Sequence, residues 1–552
     1  MSLNAWLQQA RKRLHAGRQR SLLWLADEPG ALQAAIDALT EPAQWLWLDS
    51  GGVSPLHVPD GVVQVYPNQA QHYLGSEWQG LIVDGFSGFD PDMLLALSAT
   101  LQAGGVCLLL TPPNWSQQSN QALQRWLSAG QRLPIKSRLA AWLGQPWQHY
   151  RGSLSELPSL PTCTPQPRPE GLTYDQQQVL AALHTLNDSD IWLIRGRRGR
   201  GKSTLLAELV QAARPARTIL LSNHPAALRT FLNRLQALGW QKTARNAWQA
   251  GTGATAKNVP LKKSGTPLPE LKIMAPDTFL ATSPSCDLLL IDEAARLTLP
   301  VLARLLLTPA PIIMASTDEG YEGAGQGLRL KLNQHIPAGR VLRTFELNTP
   351  TRWSADDALE RILDQTLLLH AELPEAPCGD GVSIVPWNRD DMRLLPHLWA
   401  LLRTAHYQTR PRDLLQLLDA PGQHVWLAWR ASQVVGAVWA LEEGGLDAVE
   451  GHVRGHLVAQ RLAQLRDDSL WLRQRSLRIT RIAVHPALQG QGIGSQLVQA
   501  VLLAPVDFVS VSCAAEACLQ RFWQRQGFEQ VHVGAKPNRA SGVPSAIFIN
   551  HR

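Results

Sequence analysis

Short apolar runs alternate with polar, turn-forming stretches through the first 150 residues. Trp45 to Leu48, Val62 to Val65 and Leu81 to Val83 have the length and side chains of strands, whereas Pro91 to Gln102 spaces its apolar positions as a helix does. Gly104 and Gly105 break that pattern before Val106 to Leu110, which is apolar throughout and predicts a buried strand. A strand–helix–strand rhythm of this kind predicts a parallel sheet. Residues 152–170 then hold five prolines and no apolar period, which predicts a linker.

A second α/β unit is predicted over 171–370, with strands at Ile191 to Ile194, Thr218 to Leu221, Leu288 to Ile291 and Pro311 to Ala315. Inside it, Ala250 to Gly265 is polar, glycine-bearing and cationic, so it reads as an exposed insertion, either a solvated loop or one that touches RNA. The third unit, 371–552, contains a predicted hairpin at Val425 to Leu441. The expected fold class is α/β and multidomain, with an N-terminal α/β domain over 1–151.

Composition agrees with several folded domains. A chain of 552 residues exceeds what one core serves, and 45% hydrophobic with 18% charged residues argues against long disordered tracts. The net charge of +7 comes from arginine more than lysine, which suits a polyanionic partner but is equally the mark of a basic, soluble protein. Six cysteines without a CxxC pair predict a reducing compartment and no structural metal. Ser21 to Ala26 is too short for a signal core, and no apolar run approaches the ~20 residues of a membrane span. A cytoplasmic protein with no membrane partner is expected, and DNA is not expected as a partner; the oligomeric state is not encoded in any pattern here.

The first chemistry-bearing motif follows the strand Ile191 to Ile194. Gly196-Arg-Arg-Gly199-Arg200-Gly201-Lys202-Ser203 satisfies GxxxxGK[ST] and runs into the helical stretch Thr204 to Ala213. Such glycines let successive backbone N–H groups face phosphates at a helix start. Lys202 then reaches the β- and γ-phosphates, and Ser203 coordinates Mg²⁺. Leu288 to Ile291 is a hydrophobic strand ending in Asp292 and Glu293, suited to the Mg²⁺ shell and to polarising a water. Three further pieces resemble helicases: Gln176 as a Q-motif glutamine that reads adenine, Ser316 to Gly323 as motif III, and Arg352 as an arginine finger, for which a surface ion pair is an equal alternative. No second motor lobe follows Trp353, so local remodelling of a folded RNA is expected rather than unwinding of long duplexes.

A second anion-binding pattern lies near the C-terminus. Arg478 to Val484 reads as a strand, and Gln489-Gly490-Gln491-Gly492-Ile493-Gly494-Ser495 opens a helix over Gln496 to Leu503. This resembles motif A of GNAT acetyltransferases, in which loop amides grip the CoA pyrophosphate and the strand holds the thioester. The hairpin upstream and Phe522 to Phe528 downstream stand in the order of that fold. A dinucleotide-binding unit lacks its acidic partner here, since only Glu516 lies in the relevant region.

A P-loop RecA-like helicase domain ahead of a GNAT domain, with an α/β domain before both, resembles the bacterial tRNA(Met) cytidine acetyltransferase family over essentially the whole chain. The resemblance is carried by Gly196 to Thr204, Asp292 to Ala295, Gly320 to Gly323, Ala405 to Leu414, Arg454 to His456 and Ile482 to Ser495. It implies that acetyl-CoA and ATP, with GTP left open as the nucleotide, serve to make N4-acetylcytidine at the wobble position (34) of elongator tRNA(Met). Carried across, the nucleotide residues are Gln176, Gly196, Gly199, Arg200, Gly201, Lys202, Ser203, Thr204, Leu205 and Arg352, with Ser203 and Asp292 on Mg²⁺. The acetyl-CoA residues are Ile482, Ala483, Val484, Gln489, Gly490, Gln491, Gly492, Ile493, Gly494, Ser495, Glu516 and Arg525.

The expected catalytic set is Lys202, Asp292 and Glu293 for the nucleotide and a backbone amide near Val484 as oxyanion donor. Many GNAT enzymes place a tyrosine late in the fold, but Phe522-Trp523 stands there in this sequence, so no general acid is assigned; His406, His456 and His485 are candidate proton acceptors. Larger relatives in the family carry an RNA-binding tail beyond the GNAT domain, whereas this sequence runs only a few residues past Phe548; how the tRNA is gripped stays open, with Arg473 to Arg481 and the N-terminal domain as candidates and a solvated charged face as the competing reading of that segment. Two alternatives stay open, a protein N-acetyltransferase with an attached ATPase and an RNA remodeller with a non-catalytic CoA-binding module.

Overall fold

The computed structural model describes residues 1–167, 170–222, 228–251, 268–317, 332–333, 335–405, 409–446, 455–535 and 543–551. Three sheets organise them. The first is fully parallel, in the order β3-β2-β4-β5-β1-β6. Its strands are β1 (Ser21–Ala26), β2 (Trp45–Leu48), β3 (Val63–Val65), β4 (Trp78–Asp84), β5 (Leu101–Thr111) and β6 (Arg151–Gly152). β1 is the apolar stretch read above only as too short for a signal core; it is buried at every position and lies between β5 and β6. The predicted helix ends earlier, at Ser98, and the predicted strand starts earlier, because β5 begins at Leu101 and runs through Gly104 and Gly105.

The second sheet follows the order β14-β7-β13-β12-β8-β11-β10-β9. It contains β7 (Asp190–Gly196), β8 (Arg217–Leu221), β9 (Trp240–Ala244), β10 (Ala247–Ala250), β11 (Glu270–Met274), β12 (Leu288–Ile291), β13 (Ile312–Thr317) and β14 (Val341–Leu347). β14 through β11 are parallel, and the central β7, β13, β12 and β8 are almost wholly buried, as parallel strands between helical layers require. The third sheet runs β15-β16-β17-β18-β19-β21-β20, through β15 (Ser383–Pro386), β16 (Gln423–Arg430), β17 (Gln433–Gly444), β18 (Arg475–Val484), β19 (Phe508–Ala514), β20 (Glu529–Val533) and β21 (Ser545–His551). The predicted hairpin is β16–β17, turned at Ala431 and Ser432, both with positive φ. The expected insertion lies almost wholly outside the described residues.

One apolar core joins the first and third sheets. Leu22, Leu81 and Leu109 of the first share it with Val425, Leu427 and Ala437 of the third, bridged by Leu359 to Leu369 and Leu395 to Leu418. The helix Ala358–Thr366 therefore packs with the first sheet rather than with the motor strands that precede it in sequence. Nor does the proline-rich stretch hang free. Leu154, Leu157 and Leu160 pack against the first sheet, the Trp6 indole N–H donates to the Pro158 carbonyl at 2.8 Å, and Gln166 N–H donates to Ala16 at 2.9 Å.

Two buried carboxylates sit where the first sheet's helices meet those of the third. Asp419 accepts Ser137 Oγ–H at 2.5 Å and the Arg138 and Leu139 N–H groups at 2.6 and 2.9 Å, closing the start of the helix Arg138–Trp147; burial pushes it up to about 6. Asp92 accepts the Arg412 N–H at 2.9 Å and is pushed up to about 7, first by burial and then by the neighbouring Asp90. Because its folded value lies above the ordinary 3.8, ionising Asp92 costs stability progressively as pH rises, until both states are charged above about 7. Asp92→Asn keeps the acceptor oxygen but cannot ionise. Thermal unfolding should thus show the variant more stable than wild type at pH 8, with the gap narrowing at pH 5; a gap independent of pH would contradict the burial argument.

Candidate functional site

The phosphate loop, or P-loop, is built by the end of β7 and the start of the helix Lys202–Ala213. Gly199 and Gly201 adopt φ of +76° and +73°, and neither position admits a side chain. A Cβ on Gly199 would lie 2.6 Å from the Trp353 ring, and one on Gly201 would lie 2.4 Å from the Gln176 amide. Lys202 is buried, and its Nζ donates to the Gly196 and Arg197 carbonyls at 2.7 and 2.9 Å. Sheet order brings the end of β12 close to the P-loop across β13, so that Ser203 Oγ–H donates to Asp292 Oδ2 at 3.0 Å. Burial raises the Asp292 carboxyl above its ordinary range, against the Ser203 hydrogen bond and the Lys202 charge, which pull it down. Glu293 has φ +53° and accepts the Thr317 hydroxyl at 3.1 Å. Thr317 is the last described residue before 318–323, so most of the expected motif III lies outside the described residues. Thr204 is half-buried, and the Leu205 side chain is fully buried in the motor core, which leaves Leu205 its backbone alone to offer.

Two expected nucleotide residues, Gln176 and Arg352, are held by contacts within the protein. The Gln176 amide lies against the P-loop. Its Oε1 accepts the Thr173 N–H at 2.9 Å, closing the start of its own helix, and its Nε2 donates to the Arg200 and Gly201 carbonyls at 3.1 and 3.2 Å, so the amide ties that helix to the P-loop. The Arg352 guanidinium lies close enough to Arg198 of the phosphate loop to feel its charge. Its Nη1 donates to the Ala99 carbonyl of the first domain at 3.2 Å, and burial lowers its pKa, partly offset by Glu77. It lines a cavity of about 460 Å³ with His15, Arg18 and Glu77. Arg200 is buried and turned onto Glu360 at 2.8 Å.

The second site is a strand that leaves its neighbour. β19 pairs with β18 only over Ser476 to Ile479, while β17 accompanies β18 as far as Val484. From Thr480 onward the two parallel strands splay apart, opening a wedge beside Ile482, Ala483 and Val484. His485 N–H donates back to Val435 at 2.8 Å, so by alternation Ala483 faces β17 while the amides of Ile482 and Val484 face the open wedge. The loop after β18 delivers Gln489, Gly490, Gln491 and Gly492 to the start of the helix Ile493–Leu502. Gly490 and Gly492 have φ of +79° and +80°, and a Cβ on either would meet nothing within 4 Å, so the amides border open space. Gln489 Nε2 donates to Val484 O at 3.2 Å, tying loop to strand.

A buttress stands behind that loop. Gly494 faces Phe522 at 3.7 Å from the built Cβ, and Ser495 Oγ accepts Gln526 Nε2–H at 2.9 Å. Phe522 belongs to the helix Ala517–Arg525, which Glu516 precedes and Arg525 closes. The structure adds one cation that no motif signalled, Arg430 at the end of β16, whose Nη1 donates to Gln491 Oε1 at 3.0 Å. Its sequence context is an ordinary hairpin end, and only strand pairing brings it to the loop.

The histidines read as candidate proton acceptors are structural where they are described. His456 accepts the Gly444 N–H at 2.7 Å through Nδ1 and meets the Ala129 carbonyl at 3.0 Å through Nε2. His485 accepts the Ala487 N–H at 3.3 Å and meets Pro374 O at 3.1 Å. His406 lies outside the described residues. The Arg473 to Arg481 segment is likewise divided, because Arg478 and Arg481 are spent on ion pairs with Glu443 and Asp413, both at 2.5 Å, whereas Arg473 and Arg475 are exposed.

A phosphate loop on a parallel motor sheet, fused to a sheet with a splayed strand and a glycine-rich helix start, defines the class: a P-loop ATPase joined to a GNAT-type acetyltransferase. Residues 1–155 match the family "tRNA(Met) cytidine acetyltransferase TmcA, N-terminal", residues 193–370 match "RNA cytidine acetyltransferase NAT10/TcmA, helicase domain", and residues 421–530 match the GNAT acetyltransferase domain. The tRNA(Met) cytidine acetyltransferase TmcA of Salmonella typhimurium is 32% identical over 95% of this chain and 74% of its own length; that of Yersinia pestis is 32% identical over 92% and 71%. An acetyl-CoA-bound GNAT acetyltransferase structure from Elizabethkingia anophelis aligns with 32% of this chain and 100% of its own, at 17% identity and a TM-score of 0.22. The chain belongs to the tRNA(Met) cytidine acetyltransferase family. Its domains imply acetyl-CoA and ATP as the molecules used. Among the described residues no helix is long and apolar enough to cross a membrane.

Gly492→Ala places a Cβ in free space but at a φ that costs an L-residue roughly 1–2 kcal/mol, and on the amide that opens the helix. Acetyl-CoA affinity measured by calorimetry should fall about tenfold while nucleotide turnover stays at the wild-type rate. Unchanged affinity would remove this loop from the CoA site.

Proposed function

We propose that this chain uses ATP and acetyl-CoA to form N4-acetylcytidine at the wobble position of elongator tRNA(Met). The observation that carries the reading is the occurrence, in one chain, of two helix starts preceded by left-handed glycines, one beside Ser203 and Asp292 and the other beside a splayed strand. The first suits a triphosphate and the second a CoA pyrophosphate with its thioester in the wedge.

For acyl transfer, the N4 nitrogen attacks the thioester carbon, the carbonyl oxygen takes negative charge, and the C–S bond breaks as the carbonyl reforms, so that the proton lost by the amine balances the one gained by the departing CoA thiolate, which leaves as the thiol. The cytosine amine is a poor nucleophile because its lone pair is shared with the ring, so holding it against the thioester matters most; orientation is worth up to about 7–11 kcal/mol in favourable cases. The Val484 amide, on the open side of β18, is the donor for the developing oxyanion. Glu516 and Arg525, at the two ends of the buttressing helix, and Arg430 at the loop complete the anionic end of the site.

For the nucleotide, Lys202 exchanges the Gly196 and Arg197 carbonyls for phosphate oxygens. Ser203 and Asp292, already within 3.0 Å of each other, fit a Mg²⁺ ion, whose charge would favour the ionised carboxylate that burial disfavours. Glu293 polarises the attacking water. Because the Gln176 amide is already bonded to the Thr173 N–H at one end and to the Arg200 and Gly201 carbonyls at the other, the base edge goes largely unread and GTP should substitute for ATP. Acyl transfer from a thioester needs no ATP, so hydrolysis serves to expose a stacked anticodon base.

Incubation with labelled acetyl-CoA, ATP and total bacterial RNA, followed by nucleoside mass spectrometry, should place the label in N4-acetylcytidine. Label retained in protein after RNase treatment would instead make this a protein acetyltransferase. Lys202→Ala should lower acetylation of full-length tRNA by more than about tenfold at saturating acetyl-CoA; undiminished acetylation would break the link between hydrolysis and transfer.

A further inference from the structure

The arginines inside the phosphate loop are held by a helix that does not belong to the motor core. Arg197 pairs with Glu360 at 3.3 Å and with Asp364, and Arg200 pairs with Glu360 at 2.8 Å. The loop is thus bound through two guanidinium groups to one face of the helix Ala358–Thr366. Trp353, whose ring blocks any side chain at Gly199, donates its indole N–H to the same Glu360 at 2.6 Å. These charges are mostly withdrawn from solvent, with side-chain exposures of 6% for Arg200, 13% for Glu360 and 18% for Asp364, so they are not screened surface pairs.

The opposite face of that helix is anchored elsewhere. Leu359, Ile362 and Leu363 lie in the core shared by the first and third sheets, and Trp142 donates to the Thr366 carbonyl at 2.7 Å. Just beyond the helix, the Leu368 carbonyl accepts Arg403 Nη1–H at 3.2 Å. Arg403 belongs to the helix Leu395–Ala405, which packs on β17 and β18, the strand that carries Ile482 and Val484. Three links therefore join the phosphate loop to the acetyl strand: a charged clasp, a rigid helix and a second helix lying on the sheet.

Guanidinium groups bind carboxylate and phosphate through the same forked geometry, so a triphosphate competes with Glu360 and Asp364 for the loop arginines. Lys202 at the same time leaves the Arg197 carbonyl for the phosphates. We propose that Glu360 and Asp364 are positioning residues that couple the nucleotide state of the P-loop to the acetyl-transfer sheet, closing on Arg197 and Arg200 without nucleotide and releasing them when phosphate arrives. This rests on the reading of ATP-driven tRNA acetylation above.

The experiment measures tRNA acetylation with and without ATP, together with ATP hydrolysis and acetyl-CoA affinity, for wild type, Glu360→Gln, Asp364→Asn and the double variant. Glu360→Gln keeps an acceptor oxygen for Trp353 and removes only the charge, so the singles carry the test if the double fails to fold. The ratio of acetylation with ATP to that without should fall toward one in the variants, while hydrolysis stays within about threefold of wild type and acetyl-CoA affinity is unchanged. Asp364→Glu, which retains the charge, should keep the wild-type ratio. Neutral variants that keep that ratio, or that lose hydrolysis and acetylation by the same factor, overturn the proposal. A wild-type enzyme whose acetylation ignores ATP would overturn the functional reading itself and the coupling with it.

Discussion

The common apolar core of the first and third sheets is the constraint on which the remaining geometry depends. Helices from Leu359 to Leu418 bury one side against Leu81 and Leu109 and another against Val425 and Leu427, so the N-terminal unit and the acetyltransferase sheet form one body. Apolar interiors of this kind are close-packed and hold their parts in one arrangement. The motor is attached to that body differently. Its P-loop meets it through Arg197, Arg200, Glu360 and Asp364, and its 351–353 segment through Arg18 and Ala99. Charged partners can be exchanged for a phosphate, whereas a buried leucine has no comparable alternative. The joint most open to a nucleotide is thus the polar one.

The same division runs through the two sites. Each relies on backbone amides at a helix start, and each has glycines at positive φ where a side chain is either strained or blocked. In the P-loop the glycines are crowded by Trp353, Gln176 and Thr351, so the loop is shaped from outside before any phosphate arrives. In the proposed acetyl site, Gly490 and Gly492 face open space, and the shape is set instead by the departure of β18 from β19. Preorganised amides of this sort are already aimed when charge develops, and this is where such sites draw their catalytic effect.

Several residues that motif logic sent to the chemistry also make scaffold contacts. Gln176 ties its helix to the loop because its amide satisfies the Thr173 N–H and two loop carbonyls, and Arg352 satisfies a carbonyl of the first domain. His456 and His485 bond through both ring nitrogens, and Arg478 and Arg481 neutralise buried carboxylates. A polar group on a buried element must be paired, and its nearest partner is set by packing that no linear spacing reports.

What the chain by itself determined is local. GxxxxGK[ST] after an apolar strand, Asp292 and Glu293 at the end of another, and the glycine run from Gln489 to Ser495 were legible because a phosphate-gripping turn is made by neighbours in sequence. The short buried strands β2 and β12 and the β16–β17 hairpin were legible for the same reason. Tertiary structure alone decided the rest. It turned Ser21–Ala26, an apolar stretch weighed only as a signal core, into β1, folded the proline-rich segment onto the first sheet, brought Arg430 to Gln491, and set Glu360 on Arg197 and Arg200. These depend on which surfaces meet between segments far apart in the chain, and burial and charge compensation, rather than local spacing, settle that choice.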